Sequence, residues 1–277
     1  MIQYIKRAAS VVVLIMCSVI TVQRVEAQSD TLSQYRDFLS LCTGYQQAPL
    51  QVNIRYQAGN NLVLNSFDTM SMQGYFYIGT AGAYYLRMGD VEQYIDDSVA
   101  LMINHTLQQV VVNSSADNAR RLLARYLGSV TNDTSVQTLI NAYSIQAQNN
   151  ASGNAYVLTS RSRLPSTQLS RQTIHMKYNV AKREPLEITT SRSTLVAIEP
   201  ADSAAFAQKF AGQNLLITLP NGGLYFVRKQ TAVYTYQEIL HQEPAALPMR
   251  VADYIMRNAN GEYELVPAKS AYRLVFE

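Results

Sequence analysis

The sequence predicts an α+β chain made mainly of antiparallel strands, and three observations carry that expectation. Short runs with a period of two recur every eight to twelve residues, separated by Gly and Asp turns. No βαβ alternation appears, which argues against a parallel doubly wound sheet. Stretches with a 3.6-residue period are few and lie between groups of strands. The 19 Tyr and 7 Phe, with no Trp, suit pleated surfaces on which a ring packs and a hydroxyl stays wet.

The elements follow in order. Thr31 to Tyr45 reads as a helix, with Leu32, Tyr35, Phe38, Leu39 and Cys42 on one stripe and Gly44 as its stop. From Gln51 the period becomes two: Val52, Ile54 and Tyr56 alternate with Asn53, Arg55 and Gln57. Ala58 to Asn61 reads as a turn, and Leu62-Val63-Leu64 as the start of the next strand. Met72–Ile78, Ala83–Met88, Val91–Ile95, Val99–Asn104 and Leu107–Asn113 then form a meander. Two helices interrupt it. Ser115 caps the first, with Leu122 and Tyr126 on its stripe and Gly128 as its end. Thr134 caps the second, predicted to reach Gln148, with Val136, Leu139, Ile140 and Tyr143 as its stripe. Strands resume at Ala155–Ser160, Thr173–Val180, Leu186–Thr190 and Leu195–Ile198, and Ser203–Ala211 is a short helix. The last strands are Leu215–Leu219, Leu224–Tyr236, Arg250–Arg257, Glu262–Val266 and Tyr272–Phe276.

The first residues read as an address. Lys6 and Arg7 precede an apolar run from Ala8 to Val22, and Val25 and Ala27 are placed for cleavage after Ala27. The run is short for a spanning helix, so a removed signal peptide is expected rather than a retained anchor. Cys17 sits in mid-run after the bulky Met16, which does not fit an acylated lipoprotein cysteine. Cleavage would leave Cys42 without a disulfide partner and would lower the net charge of +3 to +1 by removing Lys6, Arg7, Arg24 and Glu26. A near-neutral chain offers no electrostatic footprint for nucleic acid.

Catalytic and metal signatures are lacking in the sequence. His105, His175 and His241 are far apart, with no carboxylate or cysteine at ligand spacing. There is no Gly-x-Ser-x-Gly elbow and no Walker loop. Asp90, Glu92, Asp96 and Asp97 do not match a calcium loop and read as turn residues. No enzyme activity, cofactor or metal is expected.

The order of these elements resembles the outer-membrane lipoprotein carrier superfamily of LolA and LolB type. Gly74 leads a strand, Tyr85-Leu86-Arg87 forms an aromatic, Arg-bearing strand, Asp96-Asp97 closes a strand end, and Tyr156 to Thr159 follow the helical interlude. The resemblance spans roughly Thr31 to Pro200. It implies a half-open antiparallel β-barrel covered by helices, with an apolar cavity for acyl chains. Two places depart from the family pattern. Gly79-Thr80-Ala81-Gly82 stands where the carriers commonly have Arg-Pro, and Asp97-Ser98 replaces an Asp-Gly turn.

The expected organisation is therefore a signal peptide over 1–27, a LolA-like curved sheet with lid helices over 28–200, and a β-rich C-terminal extension over 201–277. The expected function is a soluble periplasmic protein of a Gram-negative bacterium that binds lipid or lipoprotein acyl chains. The alternative is an interaction subunit of a cell-envelope assembly, with a filled core and envelope proteins as partners. An outer-membrane barrel is disfavoured by the helices that break the strand run. The residues expected to touch a ligand are Val52, Ile54, Tyr56, Tyr75, Tyr77, Leu122, Tyr126, Leu139 and Tyr143.

Overall fold

The computed structural model describes residues 29–63, 68–80, 82–113, 133–150, 153–246 and 248–276. The expected signal peptide, Cys17, and the Ser115–Gly128 helix with Leu122 and Tyr126 lie outside the described residues.

The chain opens with helix α1, Ser29–Gly44. Six strands follow: β1 Leu50–Asn60, β2 Met70–Ile78, β3 Tyr84–Met88, β4 Val91–Ile95, β5 Ala100–Asn104 and β6 Gln109–Asn113. Helix α2, Asp133–Ala142, leads directly into β7, Tyr143–Asn150. Next come β8 Gly153–Ser160, β9 Gln172–Asn179 and β10 Glu184–Ala197. A short helix α3, Ser203–Lys209, precedes β11 Leu216–Thr218 and the 17-residue β12, Leu224–Leu240. The chain ends with β13 Ile255–Arg257, β14 Tyr263–Leu265 and β15 Arg273–Phe276.

Thirteen of these strands form one sheet, ordered β15-β6-β5-β4-β3-β2-β1-β12-β10-β9-β8-β7, with β11 added beside β12. The path does not close on itself, so the sheet is open and a barrel is not formed among the described residues. The pairing is antiparallel except at β15, which runs parallel to β6. β12 sits between β1 and β10. The division at residue 200 expected from the sequence therefore runs through the sheet.

Several expectations are corrected. The second helix ends at Ala142, not Gln148. Arg161 is the reason: its N–H donates to the Ala142 carbonyl and its Nε to the Ile140 carbonyl, each at 2.9 Å, satisfying two of the helix's last acceptors. Tyr143, Ile145 and Ala147 then alternate in a ladder with Ser160, Leu158 and Tyr156. Leu186–Thr190 and Leu195–Ile198 belong to one strand, because the polar run between them keeps its register with β12. Ala58 to Asn60 continue β1 rather than turning, paired with Ala232 to Gln230. Leu62 and Val63 are not in a strand. Arg250–Arg257 begins with a 3-10 turn at Val251–Asp253, closed by the Asp253 carboxylate accepting from the Arg250 N–H and guanidinium at 3.0 Å.

The register separates two faces of the sheet. One face is mainly apolar, interrupted by Gln93 on β4, Asn104 on β5, and Gln109 and Asn113 on β6. Leu50, Val52, Ile54 and Tyr56 of β1 oppose Ile78, Phe76, Gly74 and Met72 of β2. On the other side Tyr56 opposes Tyr234, Tyr234 opposes Ile188, Ile188 opposes Met176, and Met176 opposes Tyr156. Helices α1 and α2 pack on this face over β1, β12, β10, β9, β8 and β7, burying Tyr35, Phe38, Leu39, Leu41, Val136 and Ile140. We call it the helix face. The opposite face is polar over that half of the sheet, with Gln51, Asn53, Glu187 and Lys177 at the alternate positions. Over β2 to β6 it becomes apolar instead, and the C-terminal segment covers it with Met249, Tyr254, Ile255, Tyr263 and Leu274.

Candidate functional site

The helix face gathers five of the residues expected to meet a ligand. Val52 and Ile54 are buried beneath the helices, Tyr143 is buried at the start of β7, and Tyr56 and Leu139 are half-buried against the same cluster. Tyr75 and Tyr77 are placed elsewhere. They alternate with Phe76 on β2 and so point through the opposite face, into the cluster under the C-terminal segment. The Tyr75 hydroxyl donates to Gln51 Oε1 at 2.9 Å, and the Tyr77 hydroxyl donates to the Glu243 carboxylate. The sequence left open which side of β2 faces inward, and the register with β1 settles it: Phe76, not its tyrosine neighbours, shares a face with Val52.

The helices are fixed to the sheet by side-chain hydrogen bonds as well as by packing. The Tyr35 hydroxyl donates to the Tyr143 carbonyl at 2.6 Å, bridging α1 to the start of β7. The Tyr156 hydroxyl donates to Asp37 at 2.8 Å, and Arg183 pairs with the same carboxylate. Burial, then the Asp37 contact, raises the Tyr156 pKa well above the ordinary phenol value. Cys42 lies on α1 with its sulfur 3.9 Å from the Sδ of fully buried Met176, and burial pushes its pKa up to about 12. A groove of about 740 Å3 opens beside α1, lined by Leu32 and Tyr156 together with the polar residues Ser33, Gln34, Arg36, Asp37 and Ser40.

Beyond the described helices the apolar face continues. Tyr84, Leu86, Ile95 and Ala100 form a second buried cluster there, with half-buried Phe76 and Met88 against it. The Phe76 and Tyr84 rings meet edge to face at 5.2 Å. Gly74 leaves room at this point: a Cβ on it would lie 2.2 Å from Met88 Sδ and 3.1 Å from the Arg87 carbonyl oxygen, so the Met88 thioether would have to move. Its bareness lets the Met88 thioether lie across β2 on the face between Ile54 and Val91. Met72 and Met102 are half-buried on the same side, so adaptable thioethers border the aromatic patch.

Tyrosines line the junction of β1 and β12. The Tyr45 and Tyr236 hydroxyls are 3.4 Å apart, and burial raises both pKa values. Tyr56 and Tyr234 face each other with ring centroids 5.1 Å apart. Tyr234 is 5 % exposed, and its hydroxyl has no hydrogen-bond partner among the described residues. Sequence reasoning passed over Tyr234, Tyr236 and Phe76. The alternation Ala232, Tyr234, Tyr236 was a visible signal, but placing it required knowing that β12 pairs with β1.

A separate polar knot lies under the C-terminal segment. Glu92 is 7 % exposed and accepts from the Tyr85 hydroxyl at 3.0 Å, and its other oxygen is 2.8 Å from His105 Nε2. A neutral His105 donates through Nε2 and accepts at Nδ1 from the Tyr272 hydroxyl, 2.8 Å away. Among the described residues, no group of three or more His, Cys, Asp or Glu is placed to hold a metal ion.

No family model matches the chain, and no curated protein matches it. Solved structures do. An uncharacterized conserved protein from Thermus thermophilus is 10% identical, with a TM-score of 0.34, over 79% of this chain and 90% of that one. A LolA superfamily protein from Nitrosomonas europaea is 9% identical, with a TM-score of 0.25, over 79% of this chain and 96% of that one. A DUF1329 family protein from Desulfovibrio piger is 11% identical, with a TM-score of 0.31, over 78% of this chain and 95% of that one. Likeness this loose assigns no residue of those proteins to a residue here.

Proposed function

We propose that the chain is a non-catalytic periplasmic carrier that holds lipid or lipoprotein acyl chains against the helix face of its sheet. One observation carries this reading: the apolar face is wider than the described helices that pack on it. Tyr56, Met72, Phe76, Met88 and Met102 stay half-buried along it; Tyr56 opposes Met72, Phe76 opposes Leu86, and Gln93 separates Leu86 from Met102. Half-buried aromatic rings and thioethers offer apolar surface that re-packs around a flexible chain at low cost. Mass spectrometry of organic extracts from the purified protein tests the reading. Co-purifying acyl lipid supports it, and a lipid-free protein that takes up no fluorescent fatty-acid probe overturns it.

A second reading is a lipid-free interaction subunit of an envelope assembly. It is favoured by the dense packing directly under the helices, where Tyr35, Leu41, Val52 and Met176 are fully buried. Leu139→Trp separates the two. In a carrier it blocks probe uptake while the fold persists. In a filled core it leaves no uptake to block and destabilises by roughly 1–3 kcal/mol through overpacking.

A further inference from the structure

We propose that the Tyr234 hydroxyl is the polar anchor of the helix face, donating to the ester carbonyl oxygen of an acyl lipid whose chain lies along the apolar residues around it. The inference rests on the carrier reading and names the ligand's chemistry.

Tyr234 is 5 % exposed, and its hydroxyl has no partner among the described residues. Burying a hydroxyl without a hydrogen bond costs about as much as losing one, so such groups are rare away from functional sites. Five other tyrosines of the cluster have partners. The Tyr35 hydroxyl reaches the Tyr143 carbonyl, that of Tyr143 reaches Gln172, that of Tyr156 reaches Asp37, and Tyr45 meets Tyr236. Burial also keeps the Tyr234 phenol protonated, its pKa raised well above the ordinary value, so it remains a donor at any physiological pH.

The surroundings choose the acceptor. The positions registered beside Tyr234 on this face are Tyr56 and Ile188 across the ladders, and Ala232 and Tyr236 along β12. None is cationic. The nearby charges Arg55 and Lys177 alternate to the opposite face. A carboxylate placed here would be desolvated without a counter-charge, whereas an ester carbonyl needs only one donor. The half-buried Tyr56 ring, 5.1 Å from Tyr234, borders this position and leads toward Met72 and Phe76, which extend the apolar surface for the chain.

The test is Tyr234→Phe, an isosteric change that removes only the hydroxyl. Displacement of a fluorescent apolar probe is measured with three ligands of equal chain length: an alkane, a free fatty acid and its methyl ester. The expected result is that the wild-type protein prefers the ester. The variant binds the ester about two- to tenfold more weakly, the net worth of one hydrogen bond, with alkane affinity unchanged. The ligand-free variant melts at the same or a higher temperature, because a donor without a partner has been removed. If the wild-type protein binds none of the three, the carrier reading falls and this inference falls with it. If ligands bind but the variant keeps its ester affinity, or melts lower than wild type, the anchor is overturned and the carrier reading stands. A larger loss for the free acid than for the ester overturns the ester assignment.

Discussion

Tyr272 and His105 lie 167 residues apart in the chain and 2.8 Å apart in the structure, hydroxyl to Nδ1. The contact ties the approach to the last strand onto the β5–β6 turn, and the other ring nitrogen of His105 continues the tie to buried Glu92. Tyr254 packs beside the same imidazole, and the Lys269 ammonium lies 4.5 Å from the Tyr254 ring centre. The C-terminal segment is thus held over β2 to β6 by a polar knot set within an apolar cover.

Breaking that knot at its centre costs more than breaking it at its rim. His105→Ala removes the imidazole hydrogen bond to the buried Glu92 carboxylate, and a loss of roughly 2 kcal/mol is expected in chemical denaturation. Tyr272→Phe removes one hydrogen bond and costs about 1 kcal/mol. The double variant should fall short of the sum, because both changes act on one network.

Adjacent residues on β2 should give opposite phenotypes. Phe76→Ala enlarges the helix face beside Tyr84 and should change uptake of a fluorescent acyl probe while the C-terminal segment stays docked. Tyr75→Ala loosens the Gln51 and Tyr85 contacts on the other face and should raise protease sensitivity in residues 249–276 with probe uptake unchanged. Limited proteolysis and probe titration of the two variants check this, and equal effects on uptake would contradict the assignment of faces.

The contacts of Glu243 with Tyr77 on β2 and Thr80 beyond it are sensitive to acid. Its carboxylate accepts from the Thr80 hydroxyl, the Tyr77 hydroxyl and the Thr80 N–H, and these bonds hold its pKa below the ordinary 4.5. A carboxylate whose pKa is lowered on folding adds stability above its unfolded pKa and loses that contribution as pH falls through the folded value. Glu243→Gln should therefore lower the melting temperature at neutral pH, with the gap to wild type closing below pH 4.5.

Cys42 should be inert in the native state. With its pKa near 12 and its sulfur against Met176, very little thiolate exists at pH 8. Iodoacetamide should label it slowly in native protein and rapidly in denaturant, as read by intact mass. Equal rates would show that α1 leaves the sheet readily.

How much of this was legible without coordinates depends on whether a feature is local. The periodicity of Val91–Ile95 fixed that strand to the residue, and the 3.6-residue stripe from Leu32 to Cys42 identified the buried side of α1. Alternation along one strand names two sets of side chains but not the direction each set faces. Tyr75 and Tyr77 were named and Phe76 was passed over for that reason, and the pairing of Phe76 with Val52 shows which of them shares a face with the helices. The end of α2 depended on Arg161, a residue beyond the next two strands, β7 and β8, whose hydrogen bonds stop the helix at Ala142.

The sequence by itself determined the class of the chain: strands at short spacing, few helices, a near-neutral charge and an apolar period on nearly every strand. Those are properties of consecutive residues, set by backbone geometry and side-chain burial within one element. Tertiary structure decided that β12 enters between β1 and β10, that β15 runs parallel to β6, and that the C-terminal segment covers the face opposite the helices. It also decided that Tyr234 is buried with its hydroxyl unpaired among the described residues. Each of these joins residues far apart in the chain through hydrogen-bond ladders and packing, which a strand pattern does not specify because any exposed edge can pair with any other.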